Sequence, residues 1–179
     1  MGWGNENYDA AEPKGGGDFL KLDPGQSVDL ILLGGPAKFY SLFVDGKSEK
    51  SPEPFSGAKA RYYGGAYDIQ AGAAKVWEMS RATLGKVDLM CRELAKRGVD
   101  PYTQILVLSR KGSGLDTEYS LVPVGPASPE VLAAAQAHAA PDLHALGALY
   151  LSPADIPAHA GPAPAIAAQA PVNDAGPPF

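Results

Sequence analysis

This chain is poor in the residues that build metal centres and disulfide frameworks. Cys91 is its single cysteine, and its three histidines, His138, His144 and His159, all fall late in the sequence. One cysteine excludes an intramolecular disulfide and a Cys-based zinc site. The histidines have no ligand partner at useful spacing, so no metal and no cofactor is expected. No apolar run reaches the roughly 18 residues that a membrane-spanning helix needs. The N-terminal stretch MGWGNENYDAAEPKGGG is neither a basic-then-apolar signal nor a transit peptide. The expectation is a cytoplasmic protein with no membrane partner. The sequence also lacks a phosphate-binding P-loop, a G-x-S-x-G elbow, an H-E-x-x-H helix and a Cys-x-x-Cys pair. Gly112-Ser113-Gly114 is too short to cradle a phosphate and lies between strands. Asp116 and Glu118 beside it read as solvated turn residues. Nothing in the chain points to an enzyme.

Basic residues are missing from the whole C-terminal third: no Lys or Arg follows Lys111. Residues 113–179 carry a net charge of −6 and residues 1–18 a net charge of −3. Residues 19–112 hold 14 Lys and Arg against 10 Asp and Glu, a net of +4 inside a chain of net −5. A basic body between acidic ends suits a protein that binds a polyanion. The 21 Gly and 17 Pro gather towards the ends and suggest a folded middle. The expected organisation is a flexible arm over 1–18, one folded domain over 19–124, a helical appendage over 125–151 and an Ala/Pro-rich tail over 152–179. Trp3 and Tyr8 in the arm either dock on the body or a neighbouring subunit, or do nothing.

Within the middle, the turn at Asp23-Pro24-Gly25 precedes alternating Val28, Leu30 and Leu32, which read as a strand. Gly34-Gly35-Pro36 is expected to stop it. Residues 38–44 form the next strand, ended by Asp45-Gly46, a strong turn dipeptide. Residues 46–58 read as a polar loop at a hairpin tip. A strand follows at 60–63 with a break at Gly64-Gly65, and another at 75–79. The period then changes: Leu84, Val87, Met90 and Leu94 mark one helical face. Ser80 is the expected N-cap and Gly98 the residue past the C-terminus. Strands over 104–110 and 117–123 close the domain. Ser128 and Pro129 open a short helix to about Ala139, and a second short helix is expected from Pro141 to Leu149. Strands, one inserted helix, then two strands predict a mainly β fold, an OB-fold-like five-stranded β-barrel with short C-terminal helices. A split α+β sandwich is the competing arrangement.

Aromatic and basic residues interleave on these strands: Lys38 and Tyr40; Lys59, Arg61, Tyr63 and Tyr67; Lys75 and Trp77; then Arg110 and Lys111. Single-strand binding uses this mixture, cations for phosphates and aromatic faces for bases. Residues two apart on a strand share a face, which pairs Lys38 with Tyr40, Arg61 with Tyr63 and Lys75 with Trp77. Tyr40, Tyr63 and Tyr67 are expected at the surface, and Phe39, Phe43 and Tyr119 in the core. Trp77 suits either place.

Residues 109–121, Ser-Arg-Lys-Gly-Ser-Gly-Leu-Asp-Thr-Glu-Tyr-Ser-Leu, resemble a stretch of tailed-phage single-stranded DNA-binding, helix-destabilising proteins. The order Phe19-Leu20-Lys21-Leu22, Gly25-Gln26-Ser27-Val28 and Lys75 to Ser80 is similar too, so the resemblance spans about residues 19–123. It implies an OB fold and single-stranded DNA as partner, without strong sequence preference, in phage replication or recombination. It also implies phosphate contacts at Arg110 and Lys111 and stacking platforms on the strand aromatics. Some relatives carry a zinc site in the long loop; residues 46–58 contain no Cys or His, so none is implied here. The final Pro177-Pro178-Phe179 resembles the Pro-Phe end of bacterial single-strand-binding tails, which makes Phe179 a partner-binding candidate. Two other readings stand beside this one. The same fold could serve as a transcription cofactor that holds a melted strand and recruits a phage RNA polymerase, with 128–150 as the recruiting or oligomerising element. Or the chain is a phage interaction protein that never touches DNA. A homo-oligomer is compatible with each.

Overall fold

A computed structural model of the chain describes residues 18–157. The arm upstream of Asp18 with Trp3 and Tyr8, the tail beyond Pro157 and the partner-binding candidate Phe179 lie outside the described residues. The described residues are mainly β, with two α-helices. The strands are β1 (Asp18–Phe19), β2 (Ser27–Val44), β3 (Lys47–Ser51), β4 (Lys59–Asp68), β5 (Ala73–Met79), β6 (Gln104–Lys111), β7 (Glu118–Pro126) and β8 (Leu149–Tyr150). Helix α1 (Arg81–Lys96) lies between β5 and β6, and α2 (Pro129–Ala137) follows β7. The strand order is β1-β5-β4-β2-β6-β7, with β3 and β8 also paired to β2. All pairings are antiparallel except β1 with β5. Among the described residues no ladder joins β5 to β7, so the sheet is open there. Side chains bridge the gap: the Trp77 and Tyr119 rings meet edge to face at 6.4 Å. Lys86 of α1 donates to the Tyr119 carbonyl at 3.3 Å.

The 18-residue β2 is the spine. Gly34-Gly35-Pro36 does not stop it, contrary to the sequence reading. The strand runs through with two register shifts against β4, and Gly34 pairs with Gly65. A Cβ on Gly65 would stand 2.9 Å from Pro141 Cδ, and one on Gly64 3.0 Å from Met79 Cε. Glycines on both strands therefore give the narrow crossing its space, and β4 passes unbroken through Gly64-Gly65 for the same reason. The two shifts put two extra residues in β2, so odd-numbered residues face the same side before and after the bend. Asp45 and Gly46 make the expected turn, with φ of 50° and 78°, the signature of a tight hairpin. Residues 47–51 form β3 rather than loop, because the tight turn folds them back on Tyr40–Val44.

The core has two sides. On one side of the sheet, Val28, Leu30, Tyr62, Ala66, Trp77, Met79, Leu106, Leu108 and Leu121 pack against Leu84, Val87, Met90 and Leu94 of α1. The helix starts as its sequence demands: Thr83 N donates to Ser80 Oγ at 3.1 Å, and Gly98 past its end takes φ of 73°. The other side of the sheet is covered as well. Ile31 and Tyr67 pack with Ala127 and Ala135. Ala37, Phe39, Tyr63 and Val76 pack with Leu143 and Ala148. The stretch expected as a separate appendage thus supplies buried residues to the domain. Ser128 caps α2 as expected, accepting from Val131 N at 3.3 Å. The second expected helix, Pro141 to Leu149, does not form. Asp142 Oδ1 accepts from His144 N and Ala145 N at 3.1 and 3.2 Å. That turn conformation competes with a helix. Gly147 then takes φ of 78° and leads into β8. No helix among the described residues is long and apolar enough to cross a membrane.

Candidate nucleic-acid interface

The ten strand residues expected to contact DNA separate into three groups. Lys38, Tyr40, Lys59 and Arg61 come together on the arm formed by the far half of β2, β3 and the start of β4. Cross-strand partners share a face. Phe39 lies opposite Arg61, Tyr40 opposite Ala60, and Ser41 opposite both Lys59 and Lys50. One face of the arm therefore bears Phe43, Lys50, Lys59 and Arg61. The other bears Lys38, Tyr40, Val44 and Lys47. Lys38 Nζ sits 4.9 Å from the centre of the Tyr40 ring. A hydrogen bond with the Tyr40 hydroxyl, ahead of opposing desolvation, holds its pKa above the usual lysine value. It stays a cation at any physiological pH.

Tyr63, Tyr67 and Trp77 form the second group, and here the sequence reading is corrected. Tyr63 is 1% exposed and stacks on Phe39 with ring centres 4.1 Å apart. Tyr67 is buried beside His138, with rings 5.1 Å apart. Neither offers an open ring face, because the chain after β7 lies over their side of the sheet. Trp77 is buried on the α1 side, and its Nε1 has no hydrogen-bond partner.

The third group is held by local contacts. Lys75 stands 3.8 Å from Asp68. Arg110 donates to the Leu22 carbonyl and, at 3.4 Å, to Thr117 Oγ1. It clasps the chain before β2 to the turn after β6. That turn needs Gly112: its φ is 69° and a Cβ would lie 2.1 Å from the Asp116 carbonyl oxygen. Lys111 is exposed at the turn.

Sequence reasoning missed three residues on the arm. Phe43, expected in the core, is 67% exposed. It shares the parity of buried Phe39 but lies beyond the sheet that buries it. Its place two residues before Asp45-Gly46 was the available signal. Lys47 and Lys50 were assigned to a loop. Lys47 is exposed at the hairpin tip. Lys50 reaches back over the sheet and donates to the Tyr63 hydroxyl at 2.7 Å. It lies 3.8 Å from Glu78 and 5.1 to 5.9 Å from the Phe39, Tyr63 and Phe19 ring centres. Desolvation lowers its pKa, with Glu78 opposing. Arg61 Nε donates to the same Glu78 at 3.0 Å. The base of the arm is thereby pinned to β5, while Phe43, Lys47 and Lys59 remain at the surface.

The arm can therefore meet a polyanion with cations on both faces and one exposed ring. Among the described residues no cluster of His, Cys, Asp and Glu could hold a metal ion. Family models, curated proteins and solved structures were compared with the chain, and none matches.

Proposed function

We propose that this protein binds single-stranded DNA, without catalysis, on an OB-type barrel left open between β5 and β7. The order β5-β4-β2-β6-β7 with a helix between β5 and β6 is that of a five-stranded Greek-key barrel with its closing ladder missing. In that architecture the strand faces and the loops beside them bind oligonucleotides. The observation that carries the reading is the arm, where the exposed Phe43 ring shares a face with Lys59 and Arg61 and Lys47 stands at its tip. An exposed ring offers a stacking surface for any base, and cations beside it track phosphates. The work within phage replication or recombination rests on the resemblance of residues 109–121.

The test is fluorescence anisotropy with labelled oligo-dT over a salt series. Binding should weaken with salt and be far weaker for duplex. Phe43→Ala should cost about 1–3 kcal/mol of binding, the worth of one base stack, with the thermal transition unchanged. Lys59→Ala should reduce the salt slope by about 0.7, one single-strand phosphate contact. Absence of oligo-dT binding at low salt would return the chain to the reading of an interaction protein that never touches DNA.

A further inference from the structure

Beneath the chain that follows β7 lies a row of rings beside a cation. Phe39 and Tyr63 stack with ring centres 4.1 Å apart, and Phe19 stands 5.9 Å from Tyr63. Lys50 Nζ is 5.1 to 5.9 Å from all three ring centres. Tyr67 lies on the same side, further along β4. Counted along the chain, β4 and β5 are the second and third strands of the order β5-β4-β2-β6-β7. In an OB barrel that face takes oligonucleotides. Here residues 128–148 close it. The cover is tied at both ends: Ala127 N donates to the Thr103 carbonyl at 2.9 Å, and Leu149 and Tyr150 pair with Lys38 and Ala37 of β2. Between the ties, among the described residues, each hydrogen bond of residues 128–148 ends on a partner between Ser128 and Tyr150. Side-chain packing is what joins this span to the sheet, and its fully buried apolar residues are Ala135, Leu143 and Ala148. A segment with so little buried apolar surface opens at low cost relative to the rest of a domain. It also carries Glu130 and Asp142 and no Lys or Arg.

We propose that residues 128–148 are a displaceable cover, and that the face they close takes bases of a bound single strand when they lift. The Phe39 and Tyr63 rings then supply stacking surfaces, and Lys50 and Arg61 supply cations for phosphates. Arg61 lies directly opposite Phe39, and it shares the arm face with Phe43, Lys50 and Lys59. A strand held at Phe43 and Lys59 therefore continues onto the covered rings without changing face. A polyanion is attracted by the cations and repelled by the acidic cover, so strand and cover exclude one another. With no strand present, the closed cover keeps a large aromatic patch out of water. The observed affinity is then the affinity of the open form reduced by the fraction of molecules that are open. The inference rests on the strand-binding reading, and it is separable from it by experiment.

A disulfide staple tests this. A Cβ on Gly34 would stand 3.5 Å from Ala140 Cβ, in the middle of the cover. A disulfide spans about 3.5–4.5 Å between Cβ atoms. Gly34 lies outside the left-handed region, so its backbone accepts a cysteine. The full chain with Gly34→Cys, Ala140→Cys and Cys91→Ser is titrated with labelled oligo-dT before and after dithiothreitol. The oxidised form should bind about tenfold or more weakly than the reduced form, roughly the worth of one lost base stack. The reduced form should match wild type. Leu143→Ala removes the largest buried side chain of the cover. It should tighten oligo-dT binding severalfold in a protein that is still folded by circular dichroism, and it decides the question if the staple does not form. Equal affinity of the oxidised and reduced forms, with the bond verified by thiol titration, overturns the cover and leaves the strand-binding reading standing. Wild-type affinity in a folded Leu143→Ala variant overturns it too. If the wild-type chain binds no oligo-dT at low salt, the strand-binding reading fails and the cover fails with it.

Discussion

Replacing Tyr63 by alanine tests which side of the sheet the chain after β7 covers. Tyr63 is 1% exposed and stacks on Phe39 at 4.1 Å. It belongs to a cluster with Ala37, Val76, Leu143 and Ala148. Truncating a buried ring of this size costs about 3–5 kcal/mol, the cavity left behind included. Its hydroxyl also accepts from Lys50 at 2.7 Å, and a hydrogen bond to a charged group is worth about 1.5–3 kcal/mol. Domains are stable by about 5–15 kcal/mol, so Tyr63→Ala removes a large share of the total. The melting temperature should fall by on the order of 10–20 °C, read by circular dichroism, with urea unfolding as a second measure. Tyr63→Phe keeps the ring and loses only the hydroxyl, so its loss should be smaller. It should also loosen β3, which Lys50 pins to the sheet. An alanine variant that melts within a few degrees of wild type, while losing oligo-dT affinity, would falsify the burial of this ring and restore it as a stacking platform.

Three further outcomes follow from the packing and the electrostatics. Gly65→Ala places a methyl group 2.9 Å from Pro141 Cδ and should cost about 1–3 kcal/mol by overpacking. Adding Pro141→Ala should recover part of that loss, and additive effects in the double-mutant cycle would show that the two residues do not touch. Ser80→Ala removes the cap on Thr83 N and should cost about 1 kcal/mol in urea unfolding; an unchanged midpoint would show that the cap carries no stability. Cys91, raised from 9.0 to about 11 by burial, should react with a maleimide at pH 8 roughly 100-fold more slowly than an ordinary thiol, since the thiolate is the reactive form. Its labelling rate should climb with pH towards about 11, and a plateau near pH 9 would contradict the desolvated site.

Features set by near neighbours in the chain were legible in the sequence. Helix α1 has its apolar stripe, its Ser80 cap and its Gly98 stop within one stretch, and it forms as read. The Asp45-Gly46 turn needs only its own two residues. Strands β5, β6 and β7 lie within a residue or a few of their expected bounds. The Gly34-Gly35-Pro36 break was misread because Gly and Pro signal a stop locally. Here they are matched by Gly64-Gly65 on the partner strand, and the pairing carries β2 through. Residues 141–149 have helix-compatible alanines and leucines, but Asp142 and Gly147 hold them in turns against the sheet. At the candidate interface, Lys38, Tyr40, Lys59 and Arg61 gather on the arm because β2 pairs with β4 there, and strand parity divides them between its two faces. Phe43 was assigned to the core because it shares the parity of buried Phe39, and alternation does not say where the covering layer ends.

By itself, then, the sequence determined the period of each element, the caps and turns that bound it, and the concentration of positive charge between residues 19 and 112. These depend on backbone geometry and on residues within a few positions of one another. Only the tertiary structure decided which aromatic rings remain open. Period-two alternation says that Tyr63 and Tyr67 share a face, but not what lies over that face. Leu143 and Ala148 in one place, and Ala127 and Ala135 in another, close it from some sixty to eighty positions further along the chain. That removed two rings from the candidate interface, left Phe43 as an exposed one, and turned Trp77 inward with its indole donor buried and unpaired.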